Sequence, residues 1–339
     1  MRAVQLVAWC SEPELRDVKI PEPGPGQILV RVEAVGLCHS DLHVMDWPEG
    51  TLPFDLPMTL GHETAGVVAE LGAGAGGVEI GDPVLVYGPW GCGRCAACAR
   101  GADNLCARRL ACGLGFDGGL AEFVLVPSPR FLVPRGGLDA ARSAPLTDAA
   151  LTPYHALKPH LERLVPGSSV VVIGVGGLGH VAVQLVRELS PARIIAIDPR
   201  EHARQAAADA GANAVLDSDG LSADDVRAET GPAGAALVLD FVASDSTLRL
   251  AASAIGLGGH VSIVGSGADS FPCGIGTVPL EWSAGRPSWG TLPELHEVVS
   301  LARDGRIEIT VEPMPLEEAI EGYRRLRRGE INGRAVVVP

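Results

Sequence analysis

The chain has 339 residues, 47% of them apolar and 20% charged, with a net charge of −14 and a pI near 5.1. That length suits about two domains, and the excess negative charge works against nucleic acid and anionic membranes as partners. The most apolar stretch, residues 168–186, is broken by glycines, His180 and Gln184, and the first residues turn charged too early for a signal peptide, so a cytoplasmic location is expected.

In chain order, residues 1 to about 146 read as β-rich. QILVRVEAVG, AGVVAELG, DPVLVYG and AEFVLVP are short runs separated by Gly and Pro. Gly24, Pro25 and Gly26 mark a turn, and residues 72–82 form a glycine-rich loop leading into a strand. From about residue 166 the pattern changes. SSVVVIG reads as a buried strand, GLGHVAVQLVREL as a helix and RIIAID as the next strand. A helix near 200–210, a short AVL strand, a charged helix near 222–230, ALVLDFV, another helix and GHVSIVG follow. Such alternation predicts a doubly wound parallel sheet. The last fifty residues hold two helical patterns, ELHEVVSLARDG and LEEAIEGYRRLRRG, and a terminal strand in GRAVVVP.

The segment GVGGLG occupies residues 174–179, after one predicted strand and at the start of a helix. Gly174 permits the tight turn, Gly176 lets backbone approach a pyrophosphate, and Gly179 lets helix pack on strand. Gly177 and Leu178 complete the turn, and the helix N-terminus offers free N–H groups to phosphates. Asp198 ends the next strand, nineteen residues after Gly179. A carboxylate there accepts from the ribose hydroxyls and repels a 2′-phosphate, which favours NAD over NADP. Arg200 nearby leaves some NADP use open.

Four of eight cysteines, Cys92, Cys95, Cys98 and Cys106, fall within fifteen residues. Clustered thiols in a chain without an export signal point to metal rather than disulfides. Four thiolates make a closed, structural zinc site, although an iron–sulfur cluster also uses four. A second set is looser. GLCHSDLH carries Cys38, His39, Ser40, Asp41 and His43, and LGHETAG carries His62 and Glu63. Cys38 and His62 are candidate ligands of a catalytic metal, which needs three protein ligands and an exchangeable position. Taken singly, these residues read more readily as a core thiol and a hydrogen-bonded surface histidine, and spacing alone does not reverse that.

Taken together and in order, GLCHSDLH, GHE, the cysteine loop, GVGGLG and the terminal GRAVVV resemble the zinc-containing medium-chain dehydrogenase/reductase family, in particular its bacterial secondary alcohol dehydrogenases. The resemblance covers nearly the whole chain. It implies a GroES-like β-rich catalytic domain from residues 1–147 and 288–339, and a Rossmann NAD-binding domain from 148–287. It implies two zinc ions: a structural one on the four-cysteine loop, and a catalytic one on Cys38, His62 and Asp148, the last where many relatives have cysteine. Glu63 matches a glutamate that assists ligand exchange, and Asp41 a carboxylate that orients His62.

The activity implied is NAD-dependent oxidation of secondary, and in some cases primary, alcohols and the reverse reduction of ketones and aldehydes. Zinc would polarise the substrate oxygen. The alcohol proton would leave through Ser40, the nicotinamide ribose 2′-hydroxyl and His43. His39, Thr152, Val264 and Arg334 match cofactor-contact positions. Trp47, Tyr87, Trp90 and Trp289 are candidate walls of an apolar pocket, with core packing as the equal alternative. A polyol dehydrogenase of the same family and a non-catalytic zinc protein that senses NAD are the competing readings. The resemblance also implies a homodimer or homotetramer.

Overall fold

The structure, a computed structural model, describes residues 1–51, 54–267 and 270–339. The chain forms two compact units: Met1–Leu151 joined by Trp289–Pro339, and Thr152–Ser288. The sequence pattern would divide the chain at 147/148 and 287/288. Asp148 instead stays with the first unit, at the end of the 3-10 helix Ala144–Thr147.

Among the described residues of the first unit, the principal sheet has seven strands. Its order is Leu132–Pro134, Pro83–Val86, Glu63–Leu71, Ile28–Gly36, Arg334–Val338 and Val311–Pro315, with Phe123–Val126 also pairing Ile28–Gly36. The pattern QILVRVEAVG becomes a nine-residue central strand because its apolar positions are buried and its β-branched residues suit a pleated surface. The antiparallel pairing sets Gly36 opposite Glu63 and Val336 opposite Gly36. Three segments far apart in sequence therefore end at one place. Gly36 has a steric reason to be glycine: a Cβ there would lie 1.8 Å from Glu63 Oε2.

Residues 1–146 are less purely β than the sequence pattern suggests. GLCHSDLH forms the helix His39–Asp46 directly after the central strand. Asp41 makes that turn possible, because its Oδ2 accepts the Cys38 N–H at 3.1 Å, one of the donors a helix start leaves unpaired. A further short helix, Ala140–Ser143, begins where Asp139 accepts the Arg142 N–H.

The second unit holds a parallel sheet with strand order Ala214–Leu216, Arg193–Ile197, Ser169–Ile173, Ala235–Asp240, Ile255–Ile263, Ser283–Gly285. In chain order this is 3-2-1-4-5-6, the dinucleotide-binding arrangement. The strand Ser169–Ile173 is buried along its whole length, as expected of a parallel strand covered on both faces. Its end lies where the strand order reverses, the usual place for a ligand crevice in such sheets. The sequence then turns at Gly174, with φ +84°, into the helix Gly179–Leu189. A Cβ on Gly179 would stand 2.0 Å from the Gly174 carbonyl oxygen. The helix thus packs on its strand at a distance only glycine allows. Gly179→Val should destabilise the unit by about 1–3 kcal/mol through overpacking, seen as a lowered Tm and weakened NADH binding in a fluorescence titration.

Candidate active site

Cys38, His62, Glu63 and Asp148 converge in the first unit. Each is buried, and their ligand atoms lie within 4.8 Å of one another. Cys38 precedes the helix His39–Asp46, His62 and Glu63 open the strand Glu63–Leu71, and Asp148 follows the 3-10 helix Ala144–Thr147. Cys38 Sγ and His62 Nε2 each stand 3.6 Å from Asp148 Oδ2. A tetrahedral zinc with bonds of about 2.3 Å to sulfur, 2.05 Å to nitrogen and 2.1 Å to oxygen requires separations of about 3.6 Å and 3.4 Å along those edges. The donors therefore fit zinc in both chemistry and spacing.

The surrounding charges hold these groups in place. Asp41 Oδ1 meets His62 Nδ1 at 3.1 Å, which leaves Nε2 for a metal. Burial alone pulls the His62 imidazole down, but Asp41, Asp148 and Cys38 outweigh it and hold it well above the usual histidine range. Arg334 Nε binds Glu63 Oε2 at 2.9 Å, its Nη2 binds Oε1, and Nη2 also lies 3.5 Å from Asp148 Oδ2. Burial lifts the Glu63 carboxyl to about 7 despite the opposing guanidinium, and Asp148 adds to the lift. With both its oxygens on Arg334, Glu63 stands beside the three other donors rather than as a free fourth ligand. That arrangement leaves an exchangeable position, as chemistry at a metal demands.

The cysteine loop makes a second metal centre. Cys95 Sγ lies 3.4 Å from Cys98 Sγ and 3.8 Å from Cys106 Sγ. Tetrahedral zinc–thiolate bonds of about 2.3 Å place sulfurs about 3.8 Å apart, whereas a disulfide needs about 2.05 Å. Cys106 Sγ accepts from the Cys92 and Arg108 backbone N–H groups at 3.4 Å, and Arg108 Nη2 reaches Cys92 Sγ at 3.3 Å. The Arg94 backbone N–H leads the groups that bring the Cys92 thiol down to about 6, while burial pushes Cys98 up to about 12. Four thiolates satisfy the ion completely, so this centre is structural. The buried Asp103, clamped by Arg130 Nη2 at 2.9 Å through both oxygens, braces the loop.

The remaining sequence candidates fall in different surroundings. Ser40 Oγ is 3.6 Å from Cys38 Sγ, and His43 lies half-buried one turn along the same helix. His39 is exposed. Trp289 sits edge-on to His62 with ring centroids 5.4 Å apart, and its Nε1 donates to the Thr147 carbonyl at 2.9 Å. Its backbone is left-handed, φ +56°, and its ring fills the space beside Gly88. Trp47 stacks obliquely near His43, 6.3 Å between centroids. Tyr87 and Trp90, by contrast, are core residues: Tyr87 is fully buried with its hydroxyl on the Gly290 carbonyl, and Trp90 packs against Phe116 and Phe131. Neither offers an accessible wall, because the aromatic cluster encloses them.

In the second unit Gly176, Gly177 and Leu178 are partly exposed around the turn, Gly179 is buried, Thr152 is buried and Val264 half-buried. Asp198 holds the turn: its Oδ2 accepts the Val175 N–H at 2.8 Å. Arg200 also binds Asp198, from its backbone N–H and from Nε at 2.9 Å and from Nη2 at 2.8 Å. Burial raises Asp198, yet the Arg200 contacts outweigh it and keep the carboxyl below its usual range. Sequence reasoning missed two links: Arg334 pairing with Glu63, and Tyr323, whose hydroxyl donates to Asp41 Oδ2 at 2.9 Å. The terminal GRAVVV marks Arg334 but not its partner Glu63, and a tyrosine on an amphipathic helix carries no motif at all.

A GroES-like, cysteine-loop unit with an open Cys/His/Asp centre, together with a dinucleotide-binding parallel sheet, defines a zinc-dependent dehydrogenase. Two family profiles match, the alcohol dehydrogenase GroES-like domain over residues 24–136 and the zinc-binding dehydrogenase over residues 177–302. The chain is 36% identical to an NAD-dependent alcohol dehydrogenase of Sulfurisphaera tokodaii, with all of both chains covered. It superposes on the alcohol dehydrogenase of Aeropyrum pernix with a TM-score of 0.94 at 35% identity, covering all of both chains. Acetophenone reductase from Geotrichum candidum, in complex with NAD, matches with a TM-score of 0.88 at 33% identity, over 100% of this chain and 97% of that one. The chain belongs to the zinc-containing alcohol dehydrogenase family of medium-chain dehydrogenase/reductases. Metal analysis should find about two zinc ions per chain if both centres fill. Asp148→Ala should lose one and keep the other, whereas Cys98→Ala should lose the loop zinc and lower Tm; an Asp148→Ala protein that keeps both would remove Asp148 from the ligand set.

Proposed function

We propose that this protein is an NAD-dependent secondary alcohol dehydrogenase and ketone reductase. The single observation that carries this reading is the buried Cys38–His62–Asp148 centre, whose spacing fits zinc and whose neighbour Glu63 is engaged elsewhere. Bound zinc supplies Lewis-acid polarisation of the substrate oxygen, and NAD supplies the hydride acceptor. The chain's own residues do the rest. Cys38, His62 and Asp148 hold the metal, Asp41 fixes the His62 tautomer, and Arg334 neutralises Glu63. Gly174, Gly176 and Gly179 shape the pyrophosphate turn, and Asp198 is the acceptor for the adenosine ribose.

Ser40 and His43 form the proton exit. They are three apart on one helix and so share a face. Ser40 takes the substrate hydroxyl proton, and His43 delivers it outward. Half-burial pulls the His43 imidazole below its ordinary range, which favours the neutral form that can accept a proton. Trp289 beside His62 and Trp47 beside His43 make the apolar pocket walls that exclude water and favour alkyl and aryl ketones over polyols.

The protein works in the cytoplasm as a homodimer or homotetramer. Among the described residues no helix is long and apolar enough to cross a membrane. The parallel sheet ends at the edge strand Ser283–Gly285, and Leu257, Ile275 and Leu280 are exposed apolar residues of the same unit. Light scattering after gel filtration tests the assembly.

NADH formation is expected with 2-propanol and 1-phenylethanol, more slowly with ethanol, and least with sorbitol. Fully zinc-loaded protein that turns over none of these would overturn the reading in favour of a non-catalytic NAD sensor. His43→Gln should lower kcat by about 10²-fold. Wild type should lose activity as pH falls below the ordinary histidine range, where His43 takes up a proton, and the variant should lack that loss. An unaltered pH–rate profile would exclude His43 from the relay.

A further inference from the structure

The Asp41 carboxylate is wholly buried and has three partners. Oδ1 faces His62 Nδ1, and Oδ2 accepts from the Cys38 N–H at 3.1 Å and from the Tyr323 hydroxyl at 2.9 Å. Tyr323 belongs to the helix Ala319–Arg327 and is 2% exposed. It lines one small cavity together with Leu42, Met45 and Ile320, and phenylalanine differs from it only by the hydroxyl. A buried hydroxyl left unpaired costs free energy, so the oxygen is favourable only because Asp41 receives it. The carboxylate is thereby clamped on both sides. Without Tyr323, Oδ2 would keep one backbone donor, and the carboxylate plane would be free to turn away from His62.

We propose that Tyr323 is a positioning residue for the catalytic metal, acting through Asp41 on His62. The chain Tyr323 O–H, Asp41, His62 runs from the C-terminal helix to the ligand set. Each hydrogen bond fixes the next group: the phenol sets the carboxylate plane, the carboxylate sets the imidazole tautomer and ring angle, and the imidazole presents Nε2. Charge-assisted hydrogen bonds of this kind are the stronger class, and outer partners of metal ligands affect metal retention. This inference rests on the reading of Cys38, His62 and Asp148 as zinc ligands.

The test is the release of zinc from full-length protein to a chelator, with visible spectra after cobalt exchange. Tyr323→Phe should release the catalytic metal about tenfold faster, the low end of the range for such partners, and shift the cobalt bands. The cysteine-loop zinc should leave at the wild-type rate, an internal control for folding. In the Asp41→Asn background the same change should alter release by less than about twofold, because the route it acts through is already cut. Unchanged release and spectra in Tyr323→Phe would overturn the proposal. Equal acceleration in the Asp41→Asn background, or faster loss of both metals, would also overturn it and assign Tyr323 to packing. A wild-type chain holding only the loop zinc would instead overturn the catalytic-metal reading, and that is visible before any variant is made.

Discussion

Buried charge is the constraint around which the first unit is arranged. A thiol, an imidazole and two carboxyls meet at one point away from water, with a third carboxylate, Asp41, behind them. Removing each ion from water costs several kcal/mol unless an opposite charge and hydrogen bonds replace the lost solvent. Arg334 supplies one positive charge, and a divalent metal would add two more. The sheet explains how these groups meet. Gly36, Glu63 and Arg334 lie on three adjacent strands, and Gly36 leaves room for the carboxylate that joins the other two. The C-terminal segment is therefore part of the centre, although it lies nearly 300 residues from Cys38.

The two metal centres solve opposite problems. The four cysteines between 92 and 106 lie on one local loop, and the Cys92 and Arg108 N–H groups donate to Cys106 Sγ within it. Four soft anionic donors leave nothing to exchange, so that site can only hold shape. The other cluster gathers Cys38, His62, Glu63 and Asp148 and depends on distant segments of the first unit for its geometry. Arg334 engages Glu63 there, and Trp289 is held against His62 in a left-handed backbone conformation. Such strain at a single residue persists only when its surroundings fix it, here through the Thr147 carbonyl and the space beside Gly88.

The second unit follows a simpler logic. Its first strand is buried on both faces, the strand order reverses beside it, and the glycine turn sits at that reversal. Asp198 has two duties there. It braces the turn through the Val175 N–H, and it carries a guanidinium from Arg200. A ribose arriving at Asp198 therefore meets a carboxylate whose charge is already partly balanced.

Local chemistry made much of this protein legible in its sequence. The alternation of strands and helices, the glycine turn and the four-cysteine loop depend on neighbours a few residues apart, and they took the form the pattern predicts. The helix at GLCHSDLH escaped the pattern, because its start rests on a single side chain, Asp41, rather than on apolar periodicity. Asp148 was identifiable only through resemblance, and its place beside Cys38 and His62 came from packing. Tyr87 and Trp90 differ from Trp47 and Trp289 by enclosure, which residue type does not encode. Arg334 and Tyr323 entered the site because strand register and one helix docking brought them to Glu63 and Asp41. Short-range hydrogen bonds and periodicity are written along the chain; the balance of buried charge exists only after distant segments have met.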